Sequence, residues 1–459
     1  MTSFVRLVAR RAVQLMMAGA ISFPISASAQ GIAGPYLSAQ QAEMRGDVAA
    51  SARLYARTLA RDPKNAAVME RAMLHQIAAG NVSEGVALAR RYEEIQPGHH
   101  LGVLALAADG LRDGKYARVQ ELLDNGGPFV GQVVGAWAAF GNGDIETVRT
   151  RLQALEQNSD NGRPGQIVAA YHLGLIEAAN GNDEMAIEAM NRAAVMTDRE
   201  SLRMTAQRAG ALARLGRKDE AVTVIRERLA GTYGDPVLDR LADDIAAGDV
   251  PKADLTTPTI GSADVFFGVS GLLARGQNRV IALAYAQLAV YLDPSFTEAQ
   301  LLIAQILDRD NQYELAINAY DSIPENAPEA LRAQVGKAEV MQAAGQVDEA
   351  IGVMRQVVER FPDDIEARTS LGNMLRRESR FEEAAEAYDG AVALLPGLEP
   401  QHWVLFYQRG IALERSDQWE KAEADFRRSL ELSPDQPDVL NYLGLTLLSG
   451  ECSFWSFLN

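Results

Sequence analysis

Cysteine is almost missing from this sequence: Cys452 is the only one in 459 residues. A single thiol excludes an intrachain disulfide framework and any cysteine-based zinc site, so stability has to come from packing. Basic residues are in deficit, 44 Lys and Arg against 61 Asp and Glu, which gives a formal net charge of −17. Such a chain repels phosphate unless it carries a local basic stripe, and nucleic acid is not expected among its partners. After the N-terminal segment there is no apolar run near the ~20 residues that a membrane helix needs. Signatures of catalysis are lacking too. No GxxxxGK[ST] phosphate loop occurs, and GVSGL at residues 268–272 misses the GxSxG spacing. The five histidines are His75, His99, His100, His172 and His402. His99 and His100 follow Pro97 and Gly98 and read as a solvated loop, where adjacent side chains diverge and make a poor metal site. Acid pairs such as Glu382 and Glu383 sit at a helix start, where the dipole favours them without a catalytic role. No enzymatic activity, metal or cofactor is expected.

What is present begins with an export pattern. Arg6, Arg10 and Arg11 precede any acid, an apolar segment follows over residues 12–25, and Ala27 and Ala29 supply the small residues of a cleavage site. Gln14, Gly19 and Pro24 interrupt that segment and argue against a membrane anchor. Residues 1–29 are therefore expected to be a signal peptide removed after Ala29, leaving a periplasmic chain that starts at Gln30. Apolar residues make up 47% of the sequence, so a packed chain is expected: two to four domains by length, or one long repeat array.

Residues 365–396 decide between them. With Ile365 as position 1, Leu371 and Gly372 fall at 7 and 8, Leu375 at 11, Ala384 at 20, Tyr388 at 24, Ala391 at 27 and Pro396 at 32. Units begin at Ala263, Thr297, Leu331 and Ile365, each 34 residues apart, and a fifth at Trp403 after four extra residues. Position 20 is Ala in all five (Ala282, Ala316, Ala350, Ala384, Ala422) and position 32 is Pro in all five (Pro294, Pro328, Pro362, Pro396, Pro434). Small residues let two helices cross closely. Proline ends the second helix because it cannot continue the hydrogen-bond ladder.

This pattern resembles the tetratricopeptide repeat. The resemblance implies an all-α fold, a right-handed superhelical solenoid of antiparallel helix pairs, each pair burying its apolar face against the next. Residues 263–448 match it in strict register. Residues 30–248 match it loosely, with Tyr55, Gly174, Ala186 and Ala221 at signature positions. Between the halves, residues 249–262 hold Pro251, Pro258 and Gly261 and are expected to form a linker or elbow. Residues 449–459 are an atypical tail, expected to mark a truncation or altered frame of a longer repeat protein; a natural short cap is the alternative.

In the family resembled, the first helix of each pair lines the concave face. Position 5 there carries Phe267, Leu301, Val335, Thr369 and Tyr407; position 9 includes Gln305, Glu339 and Asn373; position 13 gives Arg275, Arg309, Arg377 and Arg415. An apolar strip beside an arginine row suits an extended or helical peptide that carries acids. The other reading places these arginines at helix C-termini, where the dipole favours them. The expected partner-binding residues are Arg275, Arg309, Arg377, Arg415, Gln305, Asn373 and Tyr407. The lysine and asparagine clamp by which some members grip chaperone C-termini is not matched, since Thr369, Tyr407 and Asp438 stand where its lysines would be. The resemblance and the signal together imply a non-enzymatic scaffold or adaptor for protein or peptide partners in the cell envelope of a Gram-negative bacterium. The alternatives are an assembly subunit of an outer-membrane or exopolysaccharide machine, or a fragment of a longer envelope enzyme.

Overall fold

Local chemistry lays out the helices one by one. In the computed structural model, which describes residues 32–124, 129–230, 232, 234–276 and 278–444, helices alternate with short turns and no strand occurs among the described residues. The expectations for the signal segment and for the tail beyond residue 444 lie outside the described residues. Asp47, Asn65, Asp144, Ser201, Thr257 and Asp364 each accept a backbone N–H in the first turn of the helix they precede, which satisfies donors that no helical carbonyl reaches. The turn between paired helices takes a left-handed residue, Gly114 and Gly143 in the N-terminal half, but Ser379 and Asp417 near the C-terminus.

The N-terminal half pairs α1 (Ala33–Met44) with α2 (Val48–Leu59), α3 (Ala66–Ala78) with α4 (Val82–Ile95), and α5 (His100–Arg112) with α6 (Tyr116–Leu123). It continues with α7 (Phe129–Gly141) and α8 (Ile145–Gln157), α9 (Gly162–Ala179) and α10 (Asp183–Val195), and α11 (Leu202–Arg214) and α12 (Lys218–Leu229). A lone α13 (Pro236–Ala247) packs on α12. The C-terminal half pairs α14 (Pro258–Leu273) with α15 (Arg279–Leu292), α16 (Thr297–Arg309) with α17 (Tyr313–Asp321), and α18 (Ala330–Ala343) with α19 (Val347–Arg360). Then come α20 (Ile365–Arg377) with α21 (Phe381–Ala393), α22 (Trp403–Arg415) with α23 (Trp419–Leu432), and helical residues 437–444. The chain is thus an all-α superhelical array, as the period implied.

Two sequence expectations change. The irregular segment between the halves ends at Thr257 rather than Ser262, because proline at the first helical position starts a helix with its φ already set. His99 and His100 are not a solvated loop. His99 caps α5 by accepting the Gly102 N–H at 3.2 Å, and His100 lies against Tyr285, with ring centroids 6.5 Å apart.

The helix crossings follow the register. All five position-20 alanines are fully buried. A Cβ on Gly372 would come within 2.6 Å of the Tyr388 ring, and one on Gly410 within 2.7 Å of Phe426, so glycine and aromatic are matched across the same crossing. Replacing Ala384 with leucine should therefore destabilise the protein by about 1–3 kcal/mol, because added methylenes overpack a close crossing. Glu386→Gln, on an exposed face, should do far less. Urea melts of the two variants check this, and equal losses would mean that the crossing lies elsewhere.

The feature that no repeat pattern announces is a closure. Helices α14 and α15 are apolar all round, and a helix of that kind must be covered on every side. The N-terminal half covers them: α14 packs on α7, α5 and α9, and α15 on α3, α4 and α5. Gly261 makes the approach close enough, since a Cβ there would sit 2.3 Å from the indole of Trp137. Thr259 Oγ1 donates to the Leu111 carbonyl at 3.2 Å, Tyr291 donates its hydroxyl proton to Asp109 at 3.0 Å, and the Arg112 guanidinium lies 4.2 Å above the Tyr291 ring. One hydrophobic core consequently runs from Val48 to Val340 across both halves.

Candidate functional site

Where the closure leaves a gap, a cleft of about 800 Å³ opens between α9, α11 and α13 on one side and α14, α16 and α18 on the other. Its walls follow from where helices begin and end. Ser201 caps α11, which brings Leu202 and Arg203 to the cleft in the first turn. Thr257 and Pro258 start α14 early enough that Asp264, Phe267, Gly268, Gly271 and Leu272 all border it.

A buried charged knot sits at the base. Arg203 donates from Nε to Asp264 at 2.5 Å and from Nη1 to Glu298 at 2.7 Å, and its guanidinium stacks 4.6 Å from the centre of the Phe296 ring. Burial works against the Arg203 charge, but Asp264, Tyr171 and Glu298 outweigh it and hold the guanidinium above its ordinary range. Glu298 is raised by burial, with Arg203 opposing. Asp264 is 3% exposed, and Arg203 is its salt-bridge partner. Next to the knot, Tyr171 is buried and its hydroxyl has no hydrogen-bond partner among the described residues. The neighbouring His172 Nδ1 accepts the Trp137 Nε1–H at 3.2 Å.

Burial holds His172 down at about 4, with Asp264 raising it and Arg203 lowering it. Burial also lowers His75 and His100. An unfolded histidine titrates near 6.5. Between those values the unfolded chain takes up a proton that the folded chain refuses. The stability is complete above about pH 6.5 and is lost as pH falls toward 4, with His172 alone accounting for about 3 kcal/mol. His172→Gln keeps an acceptor for the Trp137 N–H but removes the titration. Melting temperatures from pH 7 to 4.5 should fall less steeply for the variant; identical slopes would refute the assignment.

The residues singled out from sequence do not converge on one surface. Gln305 and Arg275 line the cleft, together with Phe267 and Leu301. The other arginines contact the preceding repeat. Arg309 donates to the Ala274 carbonyl at 3.3 Å, Arg377 donates to the Gln342 side chain at 3.2 Å, and Arg415 lies 5.6 Å from the Phe381 ring. The Ala274 carbonyl lies at the C-cap of α14, where a cation offsets the helix dipole. Asn373 accepts the Tyr388 hydroxyl proton at 2.7 Å within its own repeat. Tyr407 packs among Trp403, Phe426 and Tyr442. Sequence reading missed Arg203, Asp264, Glu298 and Tyr171. Asp264 alone left a signal, as the only charge in the apolar stretch that forms α14.

Two models of the tetratricopeptide repeat match the sequence, one over residues 36–100 and 335–399 and the other over residues 403–436. Residues 335–399 and 403–436 hold helix pairs with Ala350, Ala384 and Ala422 at position 20 and closing prolines in place, whereas residues 36–100 keep the closing Pro63 and Pro97 but have Ser51 and Gly85 at position 20. Over these residues the chain carries tetratricopeptide repeats. No curated protein matches its sequence. Among solved structures it is similar to YrrB, described as a tetratricopeptide repeat protein with an unusual peptide-binding site, at 24% identity over 40% of this chain and 90% of that one, with a TM-score of 0.30. MamA from Desulfovibrio magneticus is 23% identical over 38% and 97%, TM-score 0.32. Yeast Tom70 is 13% identical over 92% and 88%, TM-score 0.37. Tetratricopeptide arrays generally act as protein-interaction scaffolds, and protein or peptide partners follow for this one. No helix among the described residues is long and apolar enough to cross a membrane.

Proposed function

We propose that this tetratricopeptide protein is an exported scaffold of the bacterial cell envelope that holds protein partners on the concave face of its C-terminal repeats. The closure carries the reading. Helices α14 and α15 already cover the face that α3, α5, α7 and α9 would otherwise present, so the first helices of the later pairs remain for a partner. Their exposed side chains, Gln305, Glu339, Arg377 and Arg415, mix both charges with amide groups and suit a polar protein surface. The N-terminal export pattern supports a periplasmic location.

Site-specific photo-crosslinkers at Glu339 and Arg415, in the full chain within living cells, test both parts. Discrete adducts from these two positions, and none from Glu386 on the outer face, are the expected result, with a mature chain whose intact mass begins at Gln30. Equal labelling from the outer face would refute the concave site. A protein that keeps Met1 and fractionates with cytosol would refute export.

A further inference from the structure

Three features of the cleft are left unexplained by the packing of the chain. Gly268 and Gly271 lie one turn apart on α14, both border the cleft, and a Cβ at either would meet nothing within 4 Å. Glycine inside a helix weakens it relative to alanine. At Gly261 and Gly372 an aromatic ring claims the space, but at Gly268 and Gly271 no described residue does. The second feature is the Tyr171 hydroxyl, buried with no partner among the described residues although such a group is costly to leave unpaired. The charges that act on it most, Asp264, Arg203 and Asp254, all border the cleft.

The third feature is a pair of arginines without partners at the cleft rim. Every acid at the cleft is engaged: Asp198 by Arg163, Asp235 at the N-terminus of α13, Asp254 by Gln207, Asp264 and Glu298 by Arg203, and Glu329 by Thr297. Arg199 and Arg275, both exposed, have no ion pair or side-chain hydrogen bond among the described residues. Six acids and five arginines line the cleft, so its charge is nearly balanced, but Arg199 and Arg275 are the two cations there with no partner among the described residues and offer local sites for carboxylates.

We propose that the cleft seats an extended segment of a partner protein in which apolar side chains are flanked by carboxylates. Its main chain lies along the face of Gly268 and Gly271, where missing side chains allow close backbone approach. Phe267, Leu272 and Leu301 on one wall, with Ile167 and Leu202 on the other, take the apolar side chains. Arg199 and Arg275 pair with the flanking carboxylates through their planar forks. The volume falls within the roughly 300–1,000 Å³ of preformed ligand sites. The proposal rests on the concave face being the protein-binding face and places the seat at its closed end.

The test uses the purified full chain and fluorescent octapeptides in which two leucines are flanked by glutamates, beside a matching set flanked by lysines, read by anisotropy. The glutamate set should bind, and Gly271→Leu, which fills the cleft, should weaken it about tenfold or more, as should Arg275→Glu. The melting temperature of Gly271→Leu should not fall, because the added side chain meets open space. Binding that survives Gly271→Leu but is lost with Arg415→Glu overturns the seat and leaves the scaffold reading standing. Preference for the lysine set, or no binding of the glutamate set, overturns the proposal, while the crosslinks from Glu339 and Arg415 judge the scaffold reading separately.

Discussion

Trp137→Ala is expected to lower stability by about 3–5 kcal/mol. Trp137 is fully buried at the contact between α7 and α14, edge-on to Phe140 with centroids 5.9 Å apart, and its N–H satisfies His172. Truncation opens a cavity where the two halves meet and orphans a buried acceptor. Gly261→Leu attacks the same contact from the other side, since its Cβ would enter the indole. Because the cavity left by one change receives the side chain added by the other, the double variant should be less destabilised than the two losses added together. Urea denaturation of the four proteins closes this cycle. Additive losses would show that Trp137 and Gly261 do not meet, and with them the closure would fail.

Removing the Arg203 charge should cost a similar amount. In Arg203→Met the alkyl stem is kept, but Asp264 and Glu298 lose their shared counter-ion, and breaking a buried pair in this way typically costs about 3–5 kcal/mol. The penalty belongs to the stranded carboxylates rather than to the net value of the pair. The double variant Arg203→Met with Asp264→Leu should therefore recover most of the loss. Added salt should change the single-variant deficit little, because a partner 3% exposed is poorly screened. A deficit under about 1 kcal/mol, typical of an exposed pair, would contradict the burial of this knot.

How the candidate site was legible follows from the distance over which each contact acts. Phe267, Leu301, Gln305 and Arg275 sit at repeat positions that face inward, and the structure does bring them to one cleft. Arg309 and Arg377 occupy equivalent positions, yet one and three repeats beyond the closure they reach back to the preceding pair instead. A periodic pattern assigns every equivalent residue the same surroundings; the surroundings differ because only the first C-terminal pairs meet the N-terminal half. Tyr171 and Arg203 could not be found from the pattern, since they lie in the half whose register is blurred and act on residues from the other half.

The sequence by itself determined the helix pairs, their crossings and their ends. Alanine at position 20 and proline at position 32 act on neighbours within one unit, and caps such as Asp364 act within one turn. Residues 258–292, read from the repeat pattern as the end of an elbow and one ordinary pair, form a pair that is apolar nearly all round and is covered by more than its neighbours in a linear stack. What covers that pair was decided only in three dimensions. The contacts from Thr259 to Leu111 and from Tyr291 to Asp109 span 148 and 182 residues. They depend on the accumulated curvature of the four helix pairs and the lone α13 between α5 and α14, a sum of small rotations between repeats that no local spacing encodes.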